Sequence, residues 1–256
     1  PLETLFPYTT LFRSVLAAMG QLFYSMSLAM GIMVTYGSYM RKDTNLESSV
    51  RQIEIFDTVI AFLAGLMIIP AVFVFSGGDP KILQSGPSLM FVILPKVFES
   101  MSFGGAVGAA FFLLVIFAAL TSSISLMETI VSIFQDKFHW TRKSSCIFVT
   151  VMSIVLGAPS SLGFGPLSFI SWANMTILDI MDFVSNSVLM PIVAFFTAIF
   201  VGFIIKPKSI SDEVRLTNGK FAGEKLFTVM IKWITPVFLI LILGSSVANA
   251  MGWFKL

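Results

Sequence analysis

Charge is what this sequence has least of: Asp, Glu, Lys and Arg make up 12% of its 256 residues, against about 25% in soluble domains. Cysteine and histidine occur once each. Cys146 alone forms no internal disulfide, and its place at the start of an apolar run suits packing. His139 stands in a polar loop with no cluster to join, which removes metal and general-base chemistry built on histidine. No glycine-rich phosphate loop runs into Lys-Ser or Lys-Thr, so nothing points to an ATP-driven pump. The net charge of +2 is too small to argue for nucleic acid. The opening PLETLFPYTTLFRS lacks the ordered basic, apolar and small-residue regions of a secretory signal.

Apolar residues, by contrast, fill 56% of the chain, and long runs of them recur. Six spanning helices are expected, at about residues 15–40, 53–76, 104–136, 143–162, 175–205 and 227–250, each near the roughly 20 residues that cross a hydrocarbon core. An all-α, multi-pass membrane protein follows. Residues 1–14 do not read as a membrane protein's natural start. PYTTLFRS resembles translated sequencing-adapter sequence, so they are expected to be a non-native leader before the C-terminal part of a longer protein.

Basic residues sort by side. Arg41, Lys42 and Arg51 follow the first span; Lys137, Arg142 and Lys143 follow the third; Lys206, Lys208, Arg215, Lys220 and Lys225 follow the fifth. The opposite loops offer Lys81 and Lys96, so the first group is expected on the cytoplasmic side. One long outer loop, 77–103, holds a short apolar piece at about 88–99 between proline and glycine breaks. It is too short to span, and reads as a buried loop helix or lid, or as plain surface packing.

Polar residues inside the apolar runs carry the functional argument. GQLFYSMSLAMG puts Gln21, Tyr24, Ser25 and Ser27 ahead of Gly31. A helix breaks at membrane depth only where protein or a water-filled cavity surrounds it, and freed carbonyls with hydroxyls suit a small hard cation. Small and hydroxyl residues also serve simply to pack helices together. In ALTSSISLME, Ala118 precedes Thr121 by one helical step, so its carbonyl and the Thr121 hydroxyl are able to face one ion. The alternative is hydroxyls that bond back to the preceding turn. Acids within spans cost about 2.5–3.5 kcal/mol at a helix centre; Asp57 and Glu128 are the candidates. Asp179 and Asp182 open the fifth span, where an acid also suits a helix start.

Two of these runs are specific together. GQLFYSMSLAMGIMVTYGSYMRKD resembles the sixth transmembrane segment of the neurotransmitter:sodium symporters, in their bacterial amino-acid transporter branch, and FAALTSSISLMETIVSIFQDKF resembles the eighth. The resemblance runs from about Val15 to the C-terminus. The other spans resemble the seventh, ninth, tenth and eleventh helices, and the loop helix resembles the fourth extracellular loop.

The resemblance implies an inverted-repeat symporter fold with broken helices, here an N-terminally truncated six-helix fragment without the first five spans. It implies sodium-coupled symport of an amino acid or related small amine by alternating access, and not an enzyme. Tyr24, Ser27, Met30, Met33, Ser123 and Leu126 match substrate positions. Ser25 and, within one residue, Asp57 match ligands of one sodium; Ala118, Thr121 and Ser122 match the other; Asp182 matches an outer-gate acid. Na+ at up to two sites is the implied cofactor. Chloride is left open, since the acid at Asp57 offers the charge that chloride gives some animal members. Relatives usually carry glycine where Ala29 stands, so one methyl narrows the pocket and argues against a large aromatic substrate. The implied partners are the substrate, the bilayer and the absent N-terminal spans, with no nucleic acid. The implied location is the bacterial inner membrane. Two rivals share the ligand chemistry: a sodium-conducting channel and a non-transporting amino-acid sensor. Without the first helix, the fragment alone is expected to be inactive.

Overall fold

A computed structural model describes residues 7–75, 89–170 and 175–250. Residues 1–6 of the expected leader, the outer-loop stretch 76–88 with Lys81, and Lys255 lie outside the described residues.

The first expected span is two helices. Helix α1 (Pro7–Ser25) ends where the chain leaves the helical path, and α2 (Ile32–Tyr39) resumes it. Between them, Ser27, Ala29 and Gly31 take φ values of 55°, 62° and 80°. Alternate residues in the left-handed region cannot continue a right-handed ladder. Glycine meets that geometry without steric cost at one of the three positions only.

Helix α3 (Leu46–Phe75) starts ahead of its apolar run because Asn45 caps it, its Oδ1 accepting from the Ser48 N–H at 2.9 Å. A π-helical turn at Leu89–Ile93 leads into α4 (Leu94–Glu99), the loop helix. Helix α5 (Gly104–Phe138) runs unbroken, and α6 (Arg142–Leu162) is capped by Thr141, whose hydroxyl accepts from the Ser144 N–H. Helix α7 (Ile177–Ile205) opens on a reciprocal cap. The Asp179 carboxylate accepts from the Thr176 N–H at 2.9 Å, and Thr176 Oγ1 accepts from the Asp179 N–H at 3.2 Å. A short surface helix, α8 (Pro207–Asn218), precedes α9, which runs Glu224–Val229, through a π-helical turn at Met230–Ile234, into Thr235–Ala250.

Several ladders widen for a common reason. A proline has no N–H and its ring clashes with the carbonyl four residues back. For Pro95, Pro191 and Pro236 that carbonyl belongs to Phe91, Ser187 and Lys232, each inside a π-helical turn: Leu89–Ile93, Phe183–Leu189 and Met230–Ile234. The wider turn moves the clashing carbonyl aside without ending the helix.

Among the described residues, five helices are long and apolar enough to cross a membrane: Leu46–Val74, Gly104–Phe138, Arg142–Leu162, Ile177–Ile205 and Glu224–Ala248. In each, at most 28% of the apolar window is buried inside the protein. Water would not tolerate that much exposed apolar surface, and lipid supplies the missing contact.

Contacts group the chain into two units. Residues 1–49 and 126–256 form one. Its tightest packing is Ala194 and Ala198 of α7 against Leu239 of α9, with Phe23 and Ala29 packed on them. A second cluster stacks Phe134, Phe138, Trp140 and Phe148 at the α5–α6 turn, with ring centroids 5.1–5.9 Å apart. The Thr217 hydroxyl on α8 donates to the Thr44 carbonyl at 3.2 Å.

Val50–Ser125 forms the other unit. Val72 of α3 packs with Leu94 and Val97 of α4, joined by Phe98 and Phe111. Gly104 makes this packing possible. A Cβ there would stand 1.6 Å from the Phe98 carbonyl oxygen, so only a residue without one lets α5 begin against the end of α4.

Candidate functional site

The break between α1 and α2 opens on a cavity of about 470 Å3, within the range of small-ligand pockets. Leu126, Leu178, Met181, Leu189, Met190 and Val193 give it an apolar wall, and Ala29 and Met30 of the break line it directly. Its polar groups are Tyr24, Asp182, Ser185 and Asn186. The last three share one face of α7 by their spacing of three and four residues. Within that face the Asn186 amide donates to Asp182, and the Ser185 hydroxyl donates to the Met181 carbonyl at 2.7 Å.

The two half-helices bring opposite polarity to the break. The first N–H groups of a helix and the last carbonyls have no partner within it. No side chain caps α2 at Gly31, so its N-terminal amides offer positive potential. At the end of α1 the Leu22, Phe23 and Tyr24 carbonyls accept from the N–H groups of Met26, Leu28 and Ser27, and the helix dipole there presents its negative end. An anionic group suits one end and a small cation the other.

Four of the residues expected from sequence come together at this cavity: Tyr24, Met30, Leu126 and Asp182. Ser25 is the last residue of α1, Ser27 sits in the break, and Met33 lies exposed in the first turn of α2. The others belong to the second unit. Asp57 is half-buried on α3. On α5, Thr121 Oγ1 donates to the carbonyls of Phe117 and Ala118, both at 3.0 Å. Two ligands held about 2.4 Å from one cation lie within about 5 Å of each other, so the Ala118 and Thr121 oxygens keep a compatible separation. Ser122 is exposed on the same helix, and Ser123 Oγ donates to the Leu120 carbonyl at 2.8 Å. These hydroxyls thus bond back to their own turn, the alternative reading of the TSSIS run.

Glu128 has a different explanation. Its Oε1 accepts from the Tyr39 hydroxyl at 2.9 Å and from Arg142 Nη1 at 3.0 Å, and its Oε2 accepts from Arg142 Nη2 at 2.6 Å. This two-pronged pair links α2, α5 and α6 and satisfies an acid that the sequence placed inside a span. Ser185 and Asn186, which the sequence reading passed over, were findable from the i, i+3, i+4 spacing after Asp182.

Comparison with known proteins agrees with this architecture. Residues 12–253 match the model of the sodium:neurotransmitter symporter family. The chain is 35% identical over 233 residues to the uncharacterized sodium-dependent transporter YhdH of Bacillus subtilis, covering 90% of this chain and 50% of that protein. It is 32% identical to an uncharacterized sodium-dependent transporter of Haemophilus influenzae, covering 89% of this chain and 49% of that one. Among solved structures, MhsT in complex with L-phenylalanine superposes with a TM-score of 0.81 at 39% identity, over 90% of this chain and 51% of its own. The chain therefore spans about half the length of the relatives it matches. With broken first helix, apolar spans and family match in agreement, this multi-pass membrane chain belongs to the sodium:neurotransmitter symporter family.

Proposed function

We propose that the protein carrying this chain moves an amino acid, or a related small amine, across a bacterial inner membrane together with sodium, by alternating access. The observation that supports this most is the break at 26–31, where two helix ends of opposite polarity meet beside a cavity of about 470 Å3. An amino acid is itself a carboxylate with an apolar side chain, and that pairing matches amides at the head of α2 and an apolar wall. MhsT, solved with L-phenylalanine, favours the same substrate class.

In this reading Tyr24, Ser27, Met30, Met33, Ser123 and Leu126 contact substrate, and Asp182 serves the outer gate. Ser25 and Asp57 hold one sodium; the Ala118 carbonyl with Thr121 and Ser122 holds another. The Thr121 hydroxyl gives up its bond to the Ala118 carbonyl when both oxygens turn to the ion. Asp57 supplies a fixed negative charge, so uptake proceeds without chloride; a chloride requirement would remove that role. The 256 residues alone carry no uptake in this reading, because the first-helix ligands of the resemblance are not among them.

The test is uptake of labelled amino acids into proteoliposomes of the full-length protein, with and without an inward sodium gradient. Accumulation only under the gradient is expected, and Thr121→Ala with Ser122→Ala should weaken its sodium dependence, leaving the sodium held by Ser25 and Asp57. Sodium dependence unchanged in that variant would reject the second ion site. Binding without accumulation would favour a sensor, and current without substrate a channel.

A further inference from the structure

We infer that the cleft where α7, α8 and α9 meet binds the phosphate of an anionic lipid headgroup. The cleft has a volume of about 370 Å3 and is lined by three lysines, Lys206, Lys208 and Lys232. Among the described residues none of the three has a carboxylate within 4.0 Å. Glu224 also lines the cleft, but its carboxylate is held by the Arg215 guanidinium, which leaves the lysines in excess.

Two of the lysines, Lys232 and Lys206, are positioned by the backbone. Gly202 is buried, and the Lys232 Cγ lies 3.4 Å from where its Cβ would stand, so the lysine stem packs directly against α7. The Lys232 ammonium sits 5.9 Å over the Phe203 ring. Lys206 joins α7 to α8 with φ 71° and ψ 136°, a conformation that costs a non-glycine residue strain and fixes where its side chain leaves the chain. It is also the N-cap of the twelve-residue α8 and gives no side-chain cap. Pro207 has no N–H and the Ser209 N–H donates to the Lys206 carbonyl at 3.1 Å, so that helix start adds the positive end of its dipole and the Lys208 amide to the same place.

The surroundings distinguish a lipid from a free anion. The cleft closes the apolar span Ile177–Ile205, and beside it Ile204 and Trp233 are 67% and 65% exposed. Acyl chains have apolar surface to lie on there, and an aromatic residue at this depth suits the headgroup boundary. Basic pockets between spanning helices take anionic headgroups, at about fivefold in affinity per lysine.

The experiment is a titration of the full-length protein with phosphatidylglycerol or phosphatidylcholine, followed by native mass spectrometry of the lipid retained. Phosphatidylglycerol should be preferred. Lys206→Gln, Lys208→Gln and Lys232→Gln should each weaken it about fivefold, while Lys225→Gln, an exposed lysine of the same region outside the cleft, should leave it unchanged. Lys206→Gln with Lys208→Gln carries the test if Lys232→Gln disturbs folding. Full retention in that double variant would overturn the proposal. So would equal loss in Lys225→Gln, which would mean diffuse surface charge. Displacement of the lipid by millimolar inorganic phosphate would assign the cleft to free phosphate and overturn the lipid.

Discussion

Replacing Ala29 by glycine separates backbone strain from pocket shape. Ala29 has φ 62°, where a Cβ costs roughly 1–2 kcal/mol. Ala29→Gly removes that strain. Two smaller terms oppose it: the unfolded chain gains freedom worth about 0.4–1 kcal/mol, and a half-buried methyl packed on Ala194, Ala198 and Leu239 is lost at about 0.4–0.8 kcal/mol. Thermal stability should therefore stay within about 1 kcal/mol of the parent. Selectivity should not stay put. Ala29 lines the cavity, and one methyl(ene) in an apolar pocket discriminates substrates by about 10–200-fold. Large aromatic amino acids should improve about tenfold relative to small aliphatic ones as competitors of uptake. The assay is competition against a labelled substrate in proteoliposomes, with thermal unfolding of the same preparation. An unchanged ranking at unchanged stability would refute the cavity as the substrate pocket. A large stability loss would refute the strain argument.

Two further substitutions test the packing that holds the site. Gly31→Ala should lose roughly 1–2 kcal/mol from its φ of 80°, plus a contact term, since its Cβ would lie 3.0 Å from the Thr129 Cγ2. Adding Thr129→Ser removes that methyl and keeps the hydroxyl. Chemical denaturation should show recovery of the contact term only; full recovery would mean the backbone is unstrained. Gly104→Ala drives a Cβ to within 1.6 Å of the Phe98 carbonyl, and should cost about 3 kcal/mol or more. Hydrogen exchange should then rise across Leu94–Glu99, whereas Gly105→Ala, which meets nothing within 4 Å, should leave exchange unchanged.

Much of the architecture was legible because lipid imposes a length rule. Runs of 20 or so apolar residues became the five long spans, and their ends extend beyond the apolar windows where polar caps such as Asn45 and Thr141 allow another turn. The π-helical turns were less legible. A proline signals that a ladder must adjust, but kinking, ending and widening all satisfy it. The break itself was visible through Gly31 and its hydroxyl neighbours. Its extent was not, because Ser27 and Ala29 adopt left-handed backbone that non-glycine residues rarely take.

The polar side chains of the spans are satisfied in two ways, and the break is a third case. Glu128 finds a guanidinium and a phenol of its own unit, a pairing across 14 and 89 residues that charge patterning alone could not match up. Thr121, Ser123 and Ser125 bond back to carbonyls three or four residues earlier, which costs the fold nothing and leaves each hydroxyl able to turn outward. The break at 26–31 differs from both: the N–H groups of Met26, Ser27 and Leu28 donate to the Leu22, Tyr24 and Phe23 carbonyls, but α2 begins without a side-chain cap, and a cavity adjoins it. An uncapped helix start at membrane depth is stable only where something polar can reach it. A paired acid is a structural solution, whereas an uncapped helix start beside a cavity leaves polar groups open to a ligand, and for that reason the proposed function rests on the break rather than on the conspicuous carboxylates.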